Sequence, residues 1–166
     1  GPVDLWPHQV EAVKNLRNGC ILTGKPGSGK SVVALQYYVE RVLGVRHPAD
    51  LGRRLAEGPR LVIITTARKR DDLDWQGDVA MYGLTHYTTV DSWNNISNYR
   101  NIRDSFIIFD EQRAIGNGKW AKTFVHMARN NEWIMLSGTP GDNWLDYCPV
   151  FIANGFFKNR TQFERE

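Results

Sequence analysis

Cysteine is scarce in this chain, and so is any long apolar run. The 166 residues hold two cysteines, Cys20 and Cys148, far apart and outside any CxxC or Cys/His spacing. That usage argues against a zinc site and against a disulfide framework. No apolar stretch approaches the roughly 18 residues needed to cross a bilayer, and no charged-then-apolar segment opens the chain. Internal repeats and low-complexity tracts are missing as well. Charge of one sign is also in short supply: the formal net charge is +3 and the pI near 9.0, which permits contact with a polyanion without demanding it. The four histidines, His8, His47, His86 and His126, are scattered and read as structural or surface residues. These absences leave a soluble protein of a reducing compartment as the expectation. A bacterial or phage-infected cytoplasm suits so short a domain, or a nucleus if the source is eukaryotic.

What is present is core-forming material. Hydrophobic residues make up 42% of the chain, with six Trp and seven Phe, enough for one ordinary core. A single domain over residues 3–166 is therefore expected. Gly1 and Pro2 read as the scar left by a tag-removing protease. The closing "NRTQFERE" carries no capping signal, and a piece of a longer protein is expected.

Five short runs rich in β-branched or aromatic residues have strand length: "CILTG" (20–24), "RLVIITT" (60–66), "HYTTV" (86–90), "SFIIFD" (105–110) and "WIMLSG" (133–138). Segments of helical character lie between them: "WPHQVEAVKNLRN", "KSVVALQYYVERVLG" and "KWAKTFVHMARNN". Strands alternating with helices predict an α/β domain, a mainly parallel central sheet covered on both faces. Residues 46–59, "RHPADLGRRLAEGP", hold two prolines and two glycines and read as a surface connection.

The most specific signal is "GKPGSGKS", residues 24–31, which follows the first strand and opens a helix. It fills every fixed position of G-x-x-x-x-G-K-[ST]. With glycine at roughly 7% of residues, a chance match in this length is on the order of one in a hundred. Phosphate oxygens need close donors. Gly24, Pro26, Gly27, Ser28 and Gly29 shape a loop whose backbone N–H groups can wrap inward, above the positive end of the following helix. Lys30 supplies a full charge to the β- and γ-phosphates of ATP, and the Ser31 hydroxyl can ligate Mg2+.

In "FIIFDEQRAIGNG", residues 106–118, four apolar residues run straight into Asp110 and Glu111. Ligands of a parallel α/β sheet gather beyond the carboxyl ends of the strands, which places this pair and the phosphate loop in one crevice. Mg2+ bound to nucleotide phosphates needs only one or two carboxylates. Asp110 is the expected ligand, inner or outer, and Glu111 the residue that orients or deprotonates the attacking water.

Taken together, these residues resemble the first motor domain of a helicase superfamily 2 ATPase, a RecA-like P-loop NTPase domain. "GKPGSGKS" stands as motif I and "DEQR" as a DExx-box variant of motif II. The resemblance implies that Gln9, in "LWPHQVEAV", reads the adenine edge. It also implies that "SGTP" (Ser137, Thr139) is motif III, linking the ATP site to nucleic acid and to a second motor domain. Thr66, Ala67, Arg68 and Lys69 fall in the region of motif Ia, and Thr88, Thr89 and Ser92 in that of motif Ib. The implied contact there is with a nucleic-acid backbone, DNA favoured over RNA, a mode that gives affinity without base sequence. Arg113 is implied as a relay from motif II to motif III. The tail after Pro140 resembles the SWI/SNF-type branch. The family's motifs IV to VI, with the arginines that reach the γ-phosphate, have no counterpart in this length. The implied second RecA-like domain is therefore lacking, and hydrolysis by the chain alone is expected to be feeble, since such arginines are worth about a thousandfold or more. A second reading stays open: a self-contained P-loop regulatory module that does not translocate. A kinase-like phosphotransferase would need an arginine-rich lid, and none is evident.

Overall fold

A computed structural model of the chain describes residues 3–24, 29–111, 116 and 118–138. Its centre is a sheet of five parallel strands: β1 (Ile21–Thr23), β2 (Arg60–Thr65), β3 (Thr88–Ser92), β4 (Ser105–Asp110) and β5 (Glu132–Ser137). The order across the sheet is β1-β5-β4-β2-β3. β4 lies at the middle and is buried at all six positions, which explains why "SFIIFD" reads as one apolar run instead of alternating. The third strand begins two residues later than "HYTTV" suggested. Thr85–Tyr87 form a 3-10 turn after Gly83, whose φ of +73° suits glycine.

Alternate residues of the strands feed two cores. Leu61, Ile63, Phe106, Ile108, Ile134 and Leu136 face one side. There they meet α1 (Pro7–Asn15), α2 (Lys30–Tyr37), α3 (Leu51–Glu57) and α5 (Gln76–Met81) through Val13, Val33, Leu55 and Val79. Val62, Ile64, Ile107, Phe109, Trp133 and Met135 face the other side. They pack on α6 (Gly118–Asn130) and on the 3-10 segment Trp93–Tyr99. Along α6, Phe124, Met127 and Ala128 recur at helical spacing and are buried. Phe109, Phe124 and Trp133 meet edge to face, with centroids 4.8–5.9 Å apart, an aromatic floor beneath the end of β4. The short α4 (Ala67–Asp71) follows β2 directly.

One segment differs from its reading. Residues 46–59 are not simply a connection, since Leu51–Glu57 form α3. Pro48 opens a preceding 3-10 turn and Gly58 caps the helix, so these breakers mark its ends. Leu51 and Leu55, one turn apart, put their side chains into the first core. The expected helix over 30–44 is α2 continued by a π-helical turn, Tyr38–Val42.

Near the end of β3, Asp91 gathers donors: Tyr99 Oη at 2.6 Å, the Ser92 N–H at 2.7 Å, Asn95 Nδ2 at 2.9 Å and Arg70 Nη1 at 3.2 Å. Desolvation acts to raise its pKa, but these hydrogen bonds outweigh it and bring the carboxyl down to about 2. A depressed carboxyl stabilises the fold fully above its unfolded value near 4, and that stabilisation is lost as pH falls through about 2. Between pH 4 and 2 the wild-type chain should lose about 2 kcal/mol more stability than Asp91→Asn. Urea unfolding at successive pH values checks this, and parallel curves would count against it.

Candidate functional site

All five strands end on the same edge of the sheet, and β5 ties the two candidate motifs together. The Gly24 N–H donates to the Ser137 carbonyl at 3.2 Å, and the Glu111 N–H donates to the Leu136 carbonyl at 3.2 Å. The start of the phosphate loop and the second acidic residue thus hang from consecutive residues of one strand. Gly24 and Gly29 to Ser31 are described, whereas Pro26, Gly27 and Ser28 lie outside the described residues, as do Arg113, Thr139 and the tail.

Lys30 is the first residue of α2, and its Nζ donates to the Gly24 carbonyl at 2.6 Å, closing the loop on itself. Gly29, just before it, has φ +81°, a conformation that an L side chain adopts only with strain. A Cβ at Gly29 would also run into Gln9 Nε2. Gln9 is buried, with both ends of its amide engaged. Its Oε1 accepts from the Trp6 N–H at 2.8 Å, and its Nε2 reaches the Gly29 carbonyl at 3.5 Å. The glutamine expected to read adenine therefore braces α1 against the loop. Gly29→Ala should cost about 1 kcal/mol in chemical unfolding. Part of that loss should persist in a Gln9→Ala background, because removing the obstacle leaves the φ conflict in place; full recovery there would contradict the backbone argument.

Asp110 is the last residue of β4 and only 5% exposed. Burying a carboxylate is costly unless donors offset it. Three converge on the same oxygen, Oδ2: Thr65 Oγ1 at 2.9 Å, Trp75 Nε1 at 3.0 Å and Lys69 Nζ at 3.2 Å. The Asp110 carbonyl accepts from Trp93 Nε1 at 2.8 Å. Glu111 follows with φ +80°, left-handed without being glycine. Such strain costs on the order of 1–3 kcal/mol and is characteristic of functional sites.

Of the residues expected to touch a nucleic-acid backbone, Thr66 caps α4 by accepting from the Lys69 N–H at 3.2 Å. Ala67 is the first residue of α4. Arg68 is 84% exposed at its side chain, with Asp72 3.8 Å away. Lys69 is turned inward, so the expected phosphate contact and the expected Mg2+ ligand meet in one ion pair. Thr89 is not brought to the strand ends. It pairs with Val62, three residues before Thr65, about 10 Å back along the sheet. Ser137 is buried at the end of β5.

Two residues that were not singled out complete the edge. Trp75 and Asp78 lie at the start of α5. Ser31 Oγ donates to Asp78 Oδ2 at 2.8 Å, while Trp75 holds Asp110. Among the described residues, no group of three or more His, Cys, Asp or Glu could hold a metal by itself. The donor set suits Mg2+ bound to nucleotide, where phosphates and water supply most ligands and the protein adds a hydroxyl and a carboxylate. No helix among the described residues is long and apolar enough to cross a membrane.

No family model matches the chain, and no curated protein is similar to it in sequence. Solved structures are similar. The Sulfolobus solfataricus SWI2/SNF2 ATPase core in complex with dsDNA matches with a TM-score of 0.70 and 16% identity, over 99% of this chain and 39% of that one. The Pyrococcus furiosus Hef helicase domain gives 0.59 and 17%, over 89% and 35%. The large terminase ATPase domain of a Thermus phage gives 0.56 and 14%, over 87% and 69%. At these identities the likeness is one of fold, and the fold is that of RecA-like ATPase motor domains. The chain spans about two fifths of the archaeal ATPase core and about a third of the Hef structure.

Proposed function

We propose that the chain is the ATP-binding half of a nucleic-acid-dependent motor ATPase of the superfamily 2 helicase type, its partner half lying in a second RecA-like domain. The carrying observation is the pairing of Gly24 and Glu111 with adjacent carbonyls of β5. It brings Gly24 and Glu111 to neighbouring positions at one strand end, which supports reading that end as the site of the γ-phosphate and its attacking water. In this reading residues 24–31 cradle the phosphates of ATP, with Lys30 leaving the Gly24 carbonyl to pair with them. Ser31 and Asp110 would hold Mg2+, the Asp110 carboxylate being fixed through its Oδ2 by Thr65, Trp75 and Lys69. The cation, when bound, neutralises charge on the β- and γ-phosphates. Glu111 receives the proton of the attacking water.

Lys69 supports a link to nucleic acid. It stands on α4 beside the exposed Arg68, yet its ammonium rests on Asp110. A backbone phosphate that draws Lys69 away changes the electrostatics of the Mg2+ ligand, so strand binding and the nucleotide site are coupled through one side chain. Duplex DNA is the favoured partner because the archaeal core that the chain is similar to was solved with it.

Binding of labelled duplex DNA and of RNA over a salt series, with and without Mg·ATP, tests this reading. DNA binding that weakens steeply with salt, and Lys69→Ala lowering affinity with a salt slope shallower by about one, is the expected result. A chain that binds Mg·ATP but no nucleic acid would favour the regulatory module instead.

A further inference from the structure

The two residues read as Mg2+ ligands sit on different elements, Ser31 on α2 and Asp110 on β4, 79 positions apart in sequence. One short segment grips both. Trp75 reaches Asp110 through its indole N–H at 3.0 Å, and Asp78, three residues on, receives the Ser31 hydroxyl hydrogen at 2.8 Å. We propose that the Trp75–Asp78 turn is a positioning clamp for the Mg2+ site, Asp78 orienting the Ser31 hydroxyl and Trp75 orienting the Asp110 carboxylate. The inference rests on the nucleotide-site reading above.

The chemistry follows from what each atom can do. A serine hydroxyl has one hydrogen and two lone pairs, and only a lone pair can meet a cation. A free hydroxyl rotates, so its lone pair is directed towards the metal for only part of the time. A carboxylate can only accept, so Asp78 takes the hydrogen and turns the lone pairs away from itself. It also makes the oxygen a better donor to the cation, as the outer partners of metal ligands do. On Asp110, the Trp75 indole on Oδ2 helps set the plane of the carboxylate that would meet the cation.

The turn is built to be rigid. Trp75 and Val79 are buried. Tyr82, one turn after Asp78, donates its hydroxyl to Gln36 Oε1 at 2.9 Å, pinning α5 to α2. Burial first, then the neighbouring charges of Asp78 and Glu40, push the Tyr82 phenol up to about 12, so it remains a donor at neutral pH. Neither Trp75 nor Asp78 is asked to touch the nucleotide. They act through Ser31 and Asp110.

The test separates metal from nucleotide. With the whole chain, affinity for ADP is measured in EDTA and then across a Mg2+ titration. Asp78→Ala should bind ADP in EDTA as the wild type does, which also reports that it is folded, yet need roughly 10- to 100-fold more Mg2+ to reach the tight state. Asp78→Asn, whose amide oxygen can still accept from Ser31, should recover part of that loss, and Trp75→Phe should raise the Mg2+ requirement through Asp110. A wild-type Mg2+ dependence in Asp78→Ala, with ADP binding intact, overturns the clamp and leaves the nucleotide site standing. Failure of the wild-type chain to bind nucleotide at all overturns both.

Discussion

Replacing Lys30 with alanine is expected to weaken Mg·ATP binding by roughly 30- to 150-fold, the equivalent of about 2–3 kcal/mol. The figure is that of a hydrogen bond to a charged group, because the ammonium supplies a full positive charge where the triphosphate concentrates negative charge. The fold should not pay for the change. Lys30 Nζ has the Gly24 carbonyl as its partner, and α2 is held by Val33, Ala34 and Leu35 in the first core. An unchanged unfolding midpoint together with the lost affinity, read by calorimetric titration, is the expected outcome. Unaltered affinity would remove the phosphate loop from nucleotide binding.

Glu111→Gln should keep ATP affinity near that of the wild type while lowering turnover by about two to four orders of magnitude, the range that a positioned general base contributes. An amide of the same shape cannot accept the proton, so the chemical step fails after binding succeeds. Single-turnover phosphate release, in a chain carrying both motor domains if the rate of this one is too low, measures the loss. The backbone supplies an independent handle. At φ +80° the residue is strained, so Glu111→Gly should lose turnover as completely and yet cost no stability, with a gain of up to about 1 kcal/mol. A marked loss of stability in Glu111→Gly would show that the side chain is structural.

Much of this was legible in the chain. The strands announced themselves because a buried parallel sheet needs unbroken apolar runs, as in "SFIIFD" and "RLVIITT". The glycine pattern of residues 24–31 was readable because glycine takes a left-handed turn such as that at Gly29 without strain. The helix α3 was hidden by breakers that cap it, and only Leu51 and Leu55 signalled it from inside. Harder to see was the wiring of the site. "RKRDDLDWQGD" reads as a polar surface without helical period, yet Lys69, Trp75 and Asp78 all turn inward from it. The Lys69–Asp110 pair joins residues 41 positions apart, and no local pattern encodes such a contact. Spacing alone could have offered one hint, since Trp75 and Asp78 share a helical face at i, i+3.

Calorimetric titration of the chain with ATP, in Mg2+ and again in EDTA, bears most directly on the central claim. The account predicts one saturable site with an affinity in the micromolar to millimolar range usual for enzyme substrates, tighter in Mg2+ and weakened by Asp110→Asn only when Mg2+ is present. No saturation into the millimolar range, or binding indifferent to Lys30, Asp110 and Mg2+ alike, would contradict it.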